Sequence, residues 1–458
     1  MSPTPAVALV PPLAAGLAPV GGSLVGNSLL VAVVALLHIQ IAAFLTGSTT
    51  LAAFSEGLSI FRGDERHERM AHGIVRSWAY VFTFGSALAI FFVVFVLTTV
   101  WGRFYVALTQ ITFAVFFFEA MAFLAEVALL YALYVNWDRL RRYRGLRLGM
   151  LVILNVVDWW QMVLINVVAS YMLTPNGGDR SDVRQLLNPT QLPLTVHRTV
   201  GNIAWAGALI AAFAGFRYLR ARRRQDGESM RFWDWAGQWG ILWAVGMTLF
   251  QPYVGYSYAK EVQLHSYDSW YTMMFGSLSN VFELQFLLLG TIFVLGALYF
   301  GQRLRTAGLP GAGRQRLLAI LLVGTTLFGV QPAWFATDYA ATVAAGLNRP
   351  WWNGGLLNPL GNFIPYKVVA LLLLVVFGTW SLVSFVRRRS PPTGTWRDAG
   401  RRGQGYLIAL GVTVSVMMAV MGVIREHSRT PYLIHGELTI SHQGPSGPPP
   451  PSGPQPRI

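Results

Sequence analysis

The chain has no cysteine. That excludes disulfides, Cys-ligated zinc, iron–sulfur clusters and covalently attached c-type haem. Charge is scarce too: Asp, Glu, Lys and Arg make up 12% of the 458 residues, where a soluble domain carries about 25%. Hydrophobic residues reach 54%, and they come in runs of about 18 or more, the length that crosses a bilayer. Such a composition describes an all-α polytopic membrane protein, because only helices satisfy their own backbone in lipid without closing a barrel. The opening segment, "MSPTPAVALVPPLAAGLAPVGG", lacks a basic start and is broken by prolines. It is expected to be an outer segment over residues 1–29 and not a cleaved signal peptide.

About ten spans are expected, near residues 30–60, 76–101, 104–135, 146–173, 196–219, 232–253, 271–300, 315–336, 363–386 and 405–424. Together they form a transmembrane domain over 30–430. The tail, 431–458, ends in "QGPSGPPPPSGPQPRI", whose Pro and Gly predict disorder. Five loops are rich in arginine: "RGDERHER", "RLRRYRGLR", "RYLRARRR", "RLRTAGLPGAGRQR" and "RRRSPPTGTWRDAGRR". They follow spans 1, 3, 5, 7 and 9 and hold most of the 35 Lys and Arg. The positive-inside rule then puts these loops in the cytoplasm and both termini outside. The net charge of +15 therefore reflects topology and anionic lipid contact, and no nucleic-acid partner is expected. Trp101, Tyr105, Trp270 and Tyr271 sit near span ends and predict an interfacial belt.

Ionisable residues inside spans are costly and mark function. Here they are His38, Glu119, Glu126, Asp158, Glu283 and Lys367, with His197 opening span 5 and Glu426 closing span 10. In the derived orientation His38, His197, Lys367, Glu426 and Arg429 share the outer half of the membrane. Glu119 and Glu126 are seven apart, so two turns return them to one helix face about 10 Å apart along the axis. That ladder suits proton hopping. Each residue has a plainer reading: a membrane histidine is often an interhelical hydrogen-bond partner, Glu426 and Arg429 form an i,i+3 pair at a helix end, and Asp158 and Glu283 satisfy neighbours. Convergence at one depth favours a shared site but does not separate a haem site from a transporter's ion site.

Four segments carry a resemblance. "LLHIQIAAFLTGSTTLAAFSEGLSIFRGD", "EAMAFLAEVALLYALYVNWDRL", "NPTQLPLTVHRTVGNIAWAGALIAA" and "REHSRTPYLIHGE" resemble, in order, the first, third, fifth and signature segments of subunit I of the cytochrome bd quinol oxidases. The resemblance implies that His38 and Glu426 are axial ligands of two high-spin haems, one b-type and one d-type, or b-type only. It implies that His197 ligates the low-spin b haem and that Arg429 pairs with a propionate. Glu126 matches the second glutamate of the family's third helix; Glu119 is displaced by one residue from the first. Both belong to the implied proton route to the oxygen site.

The departures are specific. Where the family has Arg-x-Met, the methionine being the low-spin haem's second ligand, this chain has Lys367 and Val369. Valine cannot ligate iron, so the low-spin haem is altered or lost. The family's hydrophilic quinol loop after helix 6 is replaced by two apolar spans, its last helix by the Pro-rich tail, and "GRQPW" by "SRTPY". The implied function is a terminal oxidase subunit in a prokaryotic plasma membrane, reducing dioxygen to water with a second membrane subunit. Electrons would come from a quinol or an outer-face donor. The alternatives are a haem-poor paralogue that supports another bd-like subunit, and an ion-coupled transporter.

Overall fold

The computed structural model describes residues 24–175, 187–274, 276, 278–330, 365–388, 397–436 and 438–439. Its helices are α1 (Leu24–Arg62), α2 (Glu65–Val100), α3 (Gly102–Asn136), α4 (Arg144–Leu173), α5 (Gln191–Arg223), α6 (Gly227–Thr248), α7 (Gln251–His265), α8 (Tyr267–Met274), α9 (Ser279–Thr306), α10 (Ala312–Gly329), α11 (Pro365–Val386) and α12 (Gly400–His427). A two-stranded hairpin follows, pairing β1 (Tyr432–Ile434) with β2 (Leu438–Thr439).

Short polar turns set the boundaries. Gly63 adopts φ +67°, a left-handed turn that reverses the chain after α1. Asp64 then caps α2 by accepting from the Arg66 amide (3.0 Å), and Asp226 caps α6 by accepting from the Ser229 amide (3.0 Å). Trp101 alone separates α2 from α3. Within α2, Phe91–Leu97 widens to a π-helix, and α3 kinks at Thr112, where φ is −108° and ψ 19°.

Each expected span meets a helix, and among the described residues eight helices are long and apolar enough to cross a membrane. The differences have physical causes. Span 2 begins at Glu65 rather than near 76, because the polar "ERHERMAHG" packs as helix, burying His67, Met70, Ala71 and Ile74. The single span expected at 271–300 is two helices, α8 and α9. Trp270 and Tyr271, expected at the interface, are buried against Leu173, Val262 and Val368. The expected continuation of span 8 to 336, the start of span 9 and the end of the tail lie outside the described residues.

Helix α5 packs closely on α6. A Cβ on Gly240 would fall 2.7 Å from both the Gly207 carbonyl oxygen and the Ala211 amide nitrogen, and one on Gly207 2.8 Å from the Ala244 amide nitrogen. This is small-residue packing at four-residue spacing, Gly207/Ala211 on Gly240/Ala244. The arginine-rich loops all meet at one end of the bundle. Arg69 pairs with Glu228 (3.2 Å), Arg147 with Glu56 and Glu68, Tyr218 with Asp398, Arg303 with Asp234, and Arg388 reaches the Pro310 carbonyl (3.3 Å).

Candidate functional site

At the opposite end, α1, α5, α7 and α12 converge. Gly422 lets α12 press on α1, since a Cβ there would lie 2.2 Å from Leu36 Cδ2. Gly255 lets α7 press on His197, whose Cε1 lies 3.3 Å from the place a Cβ would take. Gln251 donates to the His197 carbonyl (3.1 Å). These contacts bring His38, His197, Glu426 and Arg429 to one region, together with Arg198, Tyr258 and Arg425, which lie within electrostatic reach of them. His38 stacks with Phe92 of the π-helical stretch at 6.4 Å, and His197 with Tyr258 at 6.1 Å.

The polar atoms of this group are conspicuously idle. The Nδ1 atoms of His38 and His197 are buried and make no hydrogen bond, as are Nε and Nη2 of Arg425 and Nε and Nη1 of Arg429. Arg429 holds Glu426 in an ion pair, and Arg425 stands 3.7 Å from the same carboxylate. Arg198 donates to Asn166. Although Glu426 lies deep in the protein, 35% of its side chain is reachable by solvent. Buried imidazoles close to idle guanidiniums suit an anionic, metal-bearing ligand: nitrogen for iron, guanidinium for carboxylate.

His427, next to Glu426, is exposed, with Nδ1 3.1 Å from the Val423 carbonyl. Lys367 does not join the group. It is drawn to Glu283 of α9 and to the Gly329 carbonyl (3.3 Å), so the expected outer-half cluster loses its lysine to a second buried ion pair. His435 meets Asp268 through Nε2 (2.7 Å) and donates its backbone amide to the Met172 carbonyl (2.9 Å). Burial opposes ionisation of Asp268, but the hydrogen bond and charge of His435 outweigh it and hold the carboxyl below its usual range. Glu437 lies outside the described residues.

The carboxyl ladder sits on α3. Gln161 of α4 donates to Glu126 Oε2 (2.6 Å). Asp158, one turn earlier on α4, is buried beside Glu126 and Thr49, both of which act on its carboxyl. Below it the Asn155 amide meets the hydroxyls of Thr49 and Thr50 (3.0 and 2.8 Å). Glu119, seven residues before Glu126, has no polar partner among the described residues. Of the groups the sequence left unassigned, Arg198 abuts His197 in "VHRTV" and Arg425 opens "REHSRT". Tyr258 gave no signal at all. Among the described residues, no three His, Asp or Glu side chains converge as a bare metal ion would need; a haem needs only one or two.

The comparisons follow the same outline. The sequence model of the cytochrome bd terminal oxidase subunit I family matches residues 28–268, from α1 into α8. The match stops before α9. No curated protein matches the sequence. A solved structure of bd oxidase from Geobacillus thermodenitrificans is similar in fold, with a TM-score of 0.51 at 12% identity over 88% of this chain and 97% of that one.

Proposed function

This chain belongs to the cytochrome bd terminal oxidase subunit I family, and on that premise we propose that it is a haem-binding oxidoreductase subunit of a prokaryotic plasma membrane that reduces dioxygen to water. The observation that carries the proposal is the pair of buried, unbonded imidazoles, His38 and His197, set among the unbonded guanidinium atoms of Arg425 and Arg429. His38 and Glu426 would hold the haem iron at the oxygen-reactive site, as haems b and d or as b-type haem alone. His197 would be the single protein ligand of a third haem. Its usual methionine partner is absent, since Val369 stands at that position.

Bound haem supplies an open iron position for dioxygen and a store for electrons. The chain's own residues do the rest. Arg198, Arg425 and Arg429 offset anionic propionates in a region where unpaired charge is costly. Glu126 keeps Oε2 in the bond from Gln161 and leaves Oε1 to carry a proton. Asp158 beside it offers its carboxyl as the next acceptor, and Glu119 stands two turns further along α3. Electrons would enter from a quinol, an outer-face donor or a second membrane subunit.

A second reading has one observation in its favour. Glu426 is already paired with Arg429, as it would be in a haem-poor paralogue serving as a structural partner. The visible spectrum of the purified protein decides between them. A Soret band with a far-red d-type band supports the oxidase; a Soret band without it supports a b-only site; a colourless protein expressed with sufficient haem rejects the proposal.

A further inference from the structure

At the arginine-rich end, a groove of about 1000 Å³ runs between the end of α1, α6 and α11. Trp235, Trp239 and Trp243 recur every four residues and form one wall along a single face of α6. Phe54 and Phe250, each about half exposed, flank it. From Trp235 to Met247 the wall is about 18 Å long at 1.5 Å per residue, more than the ~15 Å that one leaflet's hydrocarbon measures. The mouth is polar. Arg66 lies over the Trp235 ring at 5.2 Å and pairs with Asp64 at 2.7 Å. His67 meets Trp235 edge-on at 4.9 Å, its Nδ1 engaged by the Ser55 hydroxyl at 3.2 Å. Arg62 makes no ion pair among the described residues. The mouth thus holds two guanidiniums for one carboxylate.

We propose that this groove is a specific site for one anionic phospholipid, its phosphate held by Arg62 and Arg66 and an acyl chain laid along Trp239 and Trp243. Charge complementarity selects the occupant: a phosphate answers the excess positive charge, and guanidiniums bind it through paired donors. The tryptophan wall accounts for the chain, since its length exceeds a leaflet's depth. A neutral, ring-headed lipid would use the tryptophans but leave the cationic mouth unanswered. The site is remote from His38 and Glu426, and the inference holds whether or not haem binds.

Quenching of tryptophan fluorescence by brominated acyl chains tests it. The full chain is placed in phosphatidylcholine nanodiscs doped with brominated phosphatidylglycerol or, separately, brominated phosphatidylcholine. We expect saturable quenching by the phosphatidylglycerol at mole fractions where the phosphatidylcholine has little effect. Each arginine removed, in Arg62→Gln and in Arg62→Gln/Arg66→Gln, should raise the half-quenching fraction about fivefold. Arg62→Lys should restore it. Trp239→Phe/Trp243→Phe should lower the quenched amplitude and leave the midpoint in place. Arg62 is exposed and unpaired, so its variant tests the idea even if loss of the Arg66–Asp64 pair disturbs α2. Equal quenching by both lipids overturns the proposal. So does an unmoved midpoint in Arg62→Gln, or a co-purifying quinone lost from Trp243→Ala but retained by the arginine variants.

Discussion

Arg147 of α4 reaches Glu56 of α1 with its Nε 2.8 Å from Oε1, and neither side chain has any exposed surface. Its Nη1 also meets Glu68 of α2 (3.1 Å), and the Trp137 ring covers the guanidinium face at 4.5 Å. One arginine therefore ties three helices. Removing one partner of a buried pair strands the other charge. Arg147→Met is expected to cost about 3–5 kcal/mol, read as a lower midpoint in denaturant titration of the detergent-solubilised protein. Adding Glu56→Leu should recover most of that loss. A single variant as stable as the parent would show that the network contributes nothing.

The α5–α6 contact makes a packing prediction. A Cβ at position 240 meets backbone on both sides, so no flexible side chain can yield. Gly240→Ala should destabilise by about 1–3 kcal/mol through forced separation of the helices, and Gly240→Leu by more. Gly405, with nothing within 4 Å of its Cβ position, is the control: Gly405→Ala should be neutral or mildly stabilising in the same thermal melts.

The hairpin after α12 is held to the bundle by Asp268 and His435. The Asp268 carboxyl titrates below its ordinary value, so its contribution is complete above about pH 4, the unfolded value, and fades as pH falls through the depressed folded value. Amide exchange at Tyr432–Ile434, taken relative to the intrinsic rate at each pH, should be slow at neutral pH and lose its protection only in acid. Asp268→Asn should accelerate it at neutral pH as well. Protection unchanged in that variant would assign the hairpin's order to Leu433 and Ile434 packing alone.

His38→Ala should remove one high-spin haem signal per polypeptide and leave the fold intact by circular dichroism. His197→Ala should change only what low-spin signal exists, and the parent should show no six-coordinate His–Met spectrum, because Val369 replaces the methionine. Haem content unchanged by His38→Ala would contradict its assignment as a ligand. Robust quinol oxidation blocked by quinol-site inhibitors would contradict the altered electron entry.

What the sequence revealed depended on the kind of signal. Helix α12 was legible because a long apolar run after an arginine loop leaves one choice, and the fact that those loops meet at one end repeats their alternation along the chain. The ion pair of Glu426 with Arg429 was legible from their i,i+3 spacing on one helix. Other features depend on neighbours far along the chain. Lys367 pairs with Glu283 because α11 packs on α9, and no spacing near "PYKVV" says so. Trp270 reads as an interfacial aromatic until Leu173 and Val368 are found against it. Arg198 reads as one more arginine until its position between His38 and Arg425 is seen.

Glu426 and His427 provide the most discriminating test, since they adjoin and point about 100° apart around α12. Glu426 lies inside, held by Arg429 three positions on, and His427 is exposed against the Val423 carbonyl. A carboxylate is a weak-field anionic ligand and leaves iron high-spin, as oxygen chemistry requires, whereas a second imidazole favours low spin. Arg429 balances that carboxylate, because an unpaired charge at such depth costs several kcal/mol. Glu426→Gln keeps the shape and removes the charge. It should abolish or shift one high-spin haem band and leave Arg429 without its counter-ion, lowering stability as well. His427→Ala should leave both spectrum and stability unchanged. If only the stability of Glu426→Gln falls while the spectrum of a haem-loaded protein stays fixed, the pair with Arg429 is structural and the ligand lies elsewhere. If His427→Ala moves the spectrum, the inward face of α12 has been misassigned.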